Sequence, residues 1–174
     1  ILDCEPDSHI VIGHNARTKE EAADMIEKKE WDKLIRKIPI KKGDFFQIDP
    51  GCIHAICKGT ILLETQQNSD ITYRLYDYDR LSNGERRELH IDKSLDVMTI
   101  PFVPLNAEGK TSQYENYSME ELYQCQYYTV DKLDVIGRAE LTMKDATSFI
   151  NVSVIDGEGT IDGTEIKQGS HVII

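Results

Sequence analysis

The sequence predicts a mainly β protein, a β sandwich or jelly-roll barrel with one small helical segment. Short apolar runs recur between Gly, Pro-Gly and Asp-Gly turns, and a regular alternation of strands and helices is missing. An internal repeat also supports a β architecture, because the pattern I-K-x-G-x-x-x-x-I occurs at residues 40–48 and again at 166–174. A repeat so widely spaced predicts two related β modules rather than a solenoid.

The helical segment is predicted over residues 18–38. Thr18 and Glu21 form an S/T-x-x-E capping box, in which each side chain satisfies one free backbone amide. Apolar residues then recur at helical spacing, and the polar run at 28–30 predicts two helices or a kink. Pro39 is expected to end the helix.

From residue 40 onward the apolar period changes from helical to alternating. A further short helix is expected around residues 94–98, and Asp156-Gly157 and Asp162-Gly163 are the strongest hairpin signals. The predicted strands cover residues 45–48, 53–57, 61–67, 71–78, 127–128, 133–136 and 149–155.

Charge and cysteine content restrict the class of partner. The 174 residues include 20 Lys and Arg against 31 Asp and Glu, a formal net charge of −11, which argues against nucleic-acid and anionic-membrane surfaces. No apolar run is long enough for a membrane span, and no signal segment opens the chain. The four cysteines form no CxxC pair, so we expect reduced thiols in a cytoplasmic protein.

The segment with the strongest chemical signal surrounds a Pro50-Gly51 turn. The strand predicted after this turn carries His54, and the next two carry Glu64 and Arg74, so a polar side chain on three successive strands predicts a small barrel with a polar mouth. Imidazole is a good ligand for Zn²⁺, a carboxylate can hold sugar hydroxyls, and a guanidinium suits a phosphate or a developing enolate oxygen.

A structural interpretation of the same segment is equally open from the pattern alone. It is an Arg–Glu ion pair and a hydrogen-bonded histidine on a solvated sheet face, since one histidine is not a metal site. The other four histidines have no metal-ligand spacing, and we expect them to be structural or at the surface: His9, His14, His90 and His171.

Residues 43–54 resemble the second sequence motif of the cupins, with the proline displaced by one place. The fuller run of residues 51–59, followed by 63–80, is similar to the short bacterial type I mannose-6-phosphate isomerases. The resemblance is nearly continuous over 44–80, and looser over 1–38 and 157–159. It implies a cupin-type jelly-roll barrel, the double-stranded β-helix.

The resemblance also implies a domain organisation. Residues 1–80 correspond to the C-terminal part of the catalytic cupin barrel, with the helical insert at about 18–38. Residues 81–118 form a connection, and 119–174 form part of a second cupin-like β domain. On this interpretation the chain is an internal piece of a longer protein.

Site residues follow from the matched positions. His54 matches a ligand of the catalytic zinc ion and Arg74 the active-site arginine. Glu64 matches a carboxylate of the sugar pocket. Arg80 stands where longer relatives have a lysine, and we expect it to bind substrate. The remaining zinc ligands are expected upstream of Ile1, so these 174 residues alone are not expected to hold zinc tightly or to turn over substrate.

The activity implied is the interconversion of D-mannose 6-phosphate and D-fructose 6-phosphate through a cis-enediol, with zinc polarising the oxygens. Arg74 would stabilise the developing negative charge, and Arg74 and Arg80 are the nearest cations for the substrate phosphate. The alternative is a non-catalytic cupin that binds sugar or serves as a structural module. A cupin dioxygenase or nucleotide-sugar epimerase is less favoured, because an HxH…E motif is missing before His54.

Overall fold

The computed structural model describes residues 1–104, 109–141 and 149–174. It divides into two compact units, unit 1 over Ile1–Glu108 and unit 2 over Gly109–Ile174. None of the described helices is long and apolar enough to cross a membrane. The described hydrophobic core lies in unit 1.

The described elements of unit 1 are β1 (Asp3–Cys4), β2 (His9–His14), α1 (Lys19–Glu27), α2 (Trp31–Leu34), β3 (Ile35–Pro39), β4 (His54–Ala55), β5 (Thr60–Ile61), β6 (Leu81–Ser82), β7 (Glu85–Arg86) and α3 (Ile91–Val97). Three of the strands form an antiparallel sheet in the order β3-β2-β4, with β2 at its centre. The other strands form two short pairs, β1 with β5 and β6 with β7.

The predicted start and break of the helical segment are confirmed. The Thr18 hydroxyl accepts a hydrogen bond from the Glu21 amide at 3.2 Å, which caps α1. The polar run at 28–30 separates α1 from α2, and Lys29 adopts a left-handed φ of 55° there.

The predicted extension of the helix to residue 38 is wrong. Residues 35–39 form strand β3, which pairs with β2 through Ile38 opposite Ile10 and Pro39 opposite His9. Pairing with β2 outweighs the helical spacing, and Pro39 is tolerated because β3 lies at the edge of the described sheet.

The core of unit 1 lies between the first two helices and the sheet. Ala22 of α1 and Leu34 of α2 are fully buried, and Val11 of β2 is 2% exposed. They share one apolar cluster with Leu75 and Met98 from the later part of the unit. Removal of this apolar surface from water is the main stabilising contribution in unit 1.

Much of the predicted strand structure between residues 45 and 78 is wrong. Residues 45–48, 62–67 and 71–78 are not strands; only His54–Ala55 and Thr60–Ile61 are. Alternation of apolar and polar residues predicts a strand only where a neighbouring backbone completes the ladder. Among the described residues no strand pairs with 62–74.

The predicted connection over 81–118 has structure of its own. β6 and β7 form a hairpin closed by Asn83-Gly84, both with positive φ as a two-residue turn requires. The helix expected at 94–98 is α3, which starts three residues earlier. Residues 105–108 of this connection lie outside the described residues.

The described strands of unit 2 are β8 (Lys110–Gln113), β9 (Tyr117–Gln124), β10 (Thr129–Val135), β11 (Asn151–Ser153), β12 (Glu158–Ile161), β13 (Thr164–Lys167) and β14 (His171–Ile173). They form antiparallel sheets in the orders β10-β9-β8, β11-β14 and β12-β13. Asp162-Gly163 joins β12 to β13, as predicted, but Asp156-Gly157 forms no hairpin because β11 pairs with β14.

The internal repeat forms the same turn in each unit. The amide of Asp44 donates to the Lys41 carbonyl at 3.2 Å, and that of Ser170 to the Lys167 carbonyl at 2.8 Å. In return, the amides of Lys41 and Lys167 donate to the side chains of Asp44 and Ser170. The third residue of each turn is a glycine with positive φ, so the I-K-x-G pattern marks one β-turn used twice.

Candidate functional site

The turn before His54 is a tight β-turn. The Cys52 amide donates to the Asp49 carbonyl at 3.1 Å, with Pro50 second in the turn and Gly51 third, at φ +83°. Proline and a positive-φ residue at these positions are the requirements of a type II turn. The Asp-Pro-Gly order therefore has a local structural cause.

Gly51 also lies against the segment that follows α3. Its carbonyl accepts from the Thr99 amide at 3.0 Å. A Cβ at this position would lie 2.5 Å from the Val97 carbonyl oxygen and 2.6 Å from the Thr99 Oγ1. Only glycine fits both the backbone conformation and the space, so residues 97–99 and the turn hold one another in place.

His54 follows the turn as the first residue of β4 and pairs with Ile12 of the central strand. Its side chain is exposed, and Nδ1 donates to the carbonyl oxygen of Cys52 at 3.1 Å. A neutral imidazole that donates through Nδ1 keeps its lone pair on Nε2. This is the arrangement of a histidine ligand whose second nitrogen is held by a backbone carbonyl.

His54 fits one position of a zinc site, but it does not make a site by itself. Across residues 1–104, 109–141 and 149–174, no group of three or more His, Cys, Asp or Glu side chains could hold a metal ion. A catalytic zinc ion takes about three protein ligands.

Arg74 is partly buried and lies against residues 88–90. Its amide donates to Nδ1 of His90 at 3.1 Å, and the His90 amide donates to the Arg74 carbonyl at 2.7 Å. The Arg74 guanidinium donates to the Glu88 carbonyl at 3.1 Å. It forms no ion pair with Glu64, in contrast to the structural interpretation of this segment.

Arg80 lies in a cluster with Asp77 and Arg87. The Asp77 carboxylate is buried and accepts from Arg80 at 2.6 Å and from Nε of Arg87 at 2.8 Å. Hydrogen bonds from Arg87 and Arg80 hold the pKa of Asp77 far below its usual range. The same contact with Asp77 raises the pKa of Arg87.

Glu64 is exposed and lies outside the strands. Among the described residues, no two of His54, Glu64, Arg74 and Arg80 are hydrogen-bonded or ion-paired to each other. The prediction that His54, Glu64 and Arg74 occupy three successive strands is wrong, since only His54 is in a strand.

A groove of about 390 Å³ lies elsewhere on unit 1 and is lined by the aromatic rings of Trp31, Tyr76 and Tyr78. Trp31 and Tyr76 are stacked, with ring centroids 4.3 Å apart. None of the four predicted site residues lines this groove. The groove lies beside α2, since Trp31 belongs to that helix.

Sequence reasoning missed three residues that contact the predicted site. His90 was expected to be structural or at the surface, and it is hydrogen-bonded twice to the Arg74 backbone, a contact that its position in the sequence does not indicate. Asp77 accepts hydrogen bonds from Arg80 and also from Arg87, which among the described residues forms no hydrogen bond with Arg80 itself. A single buried carboxylate ten residues from an arginine has no distinctive spacing, so only the folded chain reveals these contacts.

The known proteins that are similar to this chain are described as mannose-6-phosphate isomerases. The family model for the cupin domain of mannose-6-phosphate isomerase matches residues 118–174. The mannose-6-phosphate isomerase ManA of Bacillus subtilis (strain 168) is 45% identical over the whole chain. A mannose-6-phosphate isomerase of Streptococcus mutans is 39% identical, again over the whole chain.

A solved structure extends the likeness from sequence to fold. The crystal structure of the mannose 6-phosphate isomerase from Bacillus subtilis superposes with a TM-score of 0.92 at 42% identity, over 99% of this chain. Over its whole length the chain is similar to mannose-6-phosphate isomerases. The predicted cupin fold is thereby confirmed, as is the resemblance on which it depended.

The chain spans 56% of the length of each of these similar proteins, both the curated relatives and the solved structure. The rest of each relative has no counterpart among these 174 residues.

Proposed function

We propose that the full-length protein containing this chain is a zinc-dependent, cytoplasmic isomerase that interconverts D-mannose 6-phosphate and D-fructose 6-phosphate through a cis-enediol. The observation that carries the proposal is 45% identity to a mannose-6-phosphate isomerase over the whole chain. The geometry of His54 supports it. The four cysteines, all free, agree with a reducing compartment.

In this proposal His54 is one zinc ligand, bound through Nε2. Its Nδ1 contact with the Cys52 carbonyl selects the tautomer that can bind a metal and restricts rotation of the ring. The other ligands belong to residues outside the described part of this chain, which contains no metal-holding group of its own.

Arg74 acts on the charge that develops during the reaction. Removal of a proton next to a carbonyl leaves negative charge on the carbonyl oxygen, and a positioned guanidinium stabilises that charge. The contacts with Glu88 and His90 hold Arg74 in place, so little reorganisation is needed as the charge forms. Glu64 contributes a carboxylate for sugar hydroxyls, and Arg80 a cation for the phosphate.

The experiment is zinc analysis of the full-length protein with a coupled assay in which phosphoglucose isomerase consumes the fructose 6-phosphate. We expect about one zinc ion per chain and turnover of mannose 6-phosphate. Bound zinc without turnover would contradict the isomerase proposal and favour the non-catalytic cupin. Unchanged activity in Arg74→Ala would refute the role of Arg74.

The zinc assignment has its own test in His54→Ala, with His9→Ala as the matched control. Loss of a direct ligand should weaken zinc binding by more than the roughly 10–100-fold that loss of an outer contact costs. His9 stands at the start of β2, opposite Pro39, and its removal should leave zinc content unchanged. Equal zinc content in both variants would contradict the assignment.

A further inference from the structure

Asp77 is a buried carboxylate shared by two exposed arginines. Its side chain is 7% exposed, whereas those of Arg80 and Arg87 are 63% and 41% exposed. Arg87 donates hydrogen bonds to both carboxylate oxygens, one from Nε at 2.8 Å and the other from a terminal nitrogen. Arg80 donates to the same carboxylate at 2.6 Å and to the Asp77 carbonyl at 3.3 Å.

Most of the hydrogen-bonding capacity of the two guanidinium groups is unused. A guanidinium carries five N–H donors, and the contacts with Asp77 account for two on each arginine. The cluster has two positive charges and one negative charge, and the negative charge is the buried one. It therefore presents a net positive, donor-rich edge on a chain whose formal net charge is −11.

We propose that Arg80 and Arg87 together bind the phosphate group of the substrate, and that Asp77 is the residue that positions both. This rests on the proposed isomerase function. Fixed guanidinium forks suit the geometry of phosphate oxygens, which accept two parallel N–H bonds from each. Arg80 alone would keep its long side chain mobile; the shared carboxylate orders both cations before substrate arrives.

The place of the cluster in the chain fits a sugar phosphate. Asp77 lies three residues from Arg74, a separation of at most about 11 Å for an extended chain. The phosphate on C6 and the reacting C1–C2 end are opposite ends of the substrate. Arg74 would therefore act at the reacting end of the sugar, and the Arg80–Arg87 pair would bind the phosphate at the other end. All three arginines belong to one short segment of the chain.

A purely structural role predicts a different result. Arg87 follows β7, so its contact with Asp77 also closes the base of the β6–β7 hairpin. If Arg87 served only to stabilise the hairpin, its removal would lower the thermal stability of the protein and leave the affinity for phosphate unchanged. The neighbouring Arg86 offers a matched control, because it pairs with the exposed Asp79 at 3.1 Å and does not contact Asp77.

The test uses the full-length protein with Arg87→Gln and Arg86→Gln. Steady-state kinetics give kcat and KM for mannose 6-phosphate, and inorganic phosphate serves as a competitive inhibitor. We expect Arg87→Gln to raise both KM and the inhibition constant of phosphate by about tenfold or more, with kcat changed far less. Arg86→Gln should behave like the wild type. Equal constants in both variants would overturn the proposal.

Two further measurements keep the result decisive. If Arg87→Gln does not fold, Arg87→Lys replaces it; the lysine retains the charge but loses the fork, and an unchanged KM there overturns the proposal. If the wild type has no isomerase activity, the proposed function fails by itself. Calorimetric titration with inorganic phosphate then still tests the anion site, since binding should be lost in the Arg87 variant alone.

Discussion

The backbone of Arg74 is hydrogen-bonded to His90 in both directions. The Arg74 amide donates to the imidazole Nδ1 at 3.1 Å, and the His90 amide donates to the Arg74 carbonyl at 2.7 Å. The first bond needs an unprotonated Nδ1, so a neutral His90 carries its proton on Nε2. A histidine predicted to be structural or at the surface thereby fixes the backbone of the arginine on which the proposed mechanism depends.

His90→Ala in the full-length protein removes the acceptor for the Arg74 amide. A hydrogen bond contributes about 0.5–1.5 kcal/mol, so we expect kcat to fall roughly three- to tenfold while KM changes little. The coupled isomerase assay measures this. His90→Asn, which retains an acceptor oxygen, should recover part of the loss, and His9→Ala should have no effect. A loss of thermal stability with unchanged kcat would show that His90 is structural only.

Asp77→Asn should change how stability depends on pH. Because the pKa of Asp77 is lowered in the folded protein, its contribution is present above the unfolded pKa of about 3.9 and is lost as pH falls toward the folded value. The difference in unfolding free energy from the wild type should be largest near pH 6–7 and shrink below about pH 4. Urea denaturation from pH 3 to 7 measures it.

Asp79→Asn is the control for this pH dependence. Asp79 and its partner Arg86 are 73% and 71% exposed, so their ion pair contributes about 0–1 kcal/mol. A pH profile for Asp77→Asn that runs parallel to that of the Asp79 variant would contradict the assigned cause of the pKa shift.

Gly51→Ala should destabilise unit 1 more than Gly43→Ala. Both glycines have positive φ, which costs a residue with a side chain roughly 1–3 kcal/mol. A Cβ at residue 51 would also collide with the Val97 carbonyl, whereas nothing lies within 4 Å of one at residue 43. Denaturant unfolding of the two variants isolates the steric part, and equal losses would rule that part out.

Leu34→Ala should be the most costly single truncation in the core of unit 1. Leu34 is fully buried beside Ala22 and Val11, and truncation of a buried leucine costs about 2–5 kcal/mol. Leu81 is 65% exposed, so Leu81→Ala should change the unfolding free energy by less than about 0.5 kcal/mol. Similar losses in the two variants would show that the core lies elsewhere.

Local signals predicted local structure well. Thr18 caps α1 as its spacing with Glu21 indicates, and Asp162-Gly163 closes a hairpin. The repeated I-K-x-G predicted two related β modules, and the structure shows that it forms the same turn at both places. Each of these depends on interactions within a few residues. Asn83-Gly84 was a local hairpin signal of the same kind and could have been predicted.

The apolar periodicity predicted the wrong secondary structure where pairing with a distant strand determines the backbone conformation. Residues 35–39 have helical spacing but pair with β2, and residues 62–67 alternate but lie outside the strands. Spacing reports which face of an element is apolar. Whether the element forms depends on the neighbouring backbone, which the local sequence does not contain.

The sequence by itself indicated the resemblance to mannose-6-phosphate isomerases and the cupin fold that it implies, because both follow from residue identity. It also indicated the Pro50-Gly51 turn that precedes His54, which follows from local conformational preference. Only the tertiary structure decided that His54 donates to Cys52, that His90 positions Arg74, and that Asp77 is shared by Arg80 and Arg87. The physical reason is the separation along the chain of the residues that interact. A turn is specified by neighbours in the chain, whereas a hydrogen bond between residues ten or sixteen apart exists only after the chain has folded around both.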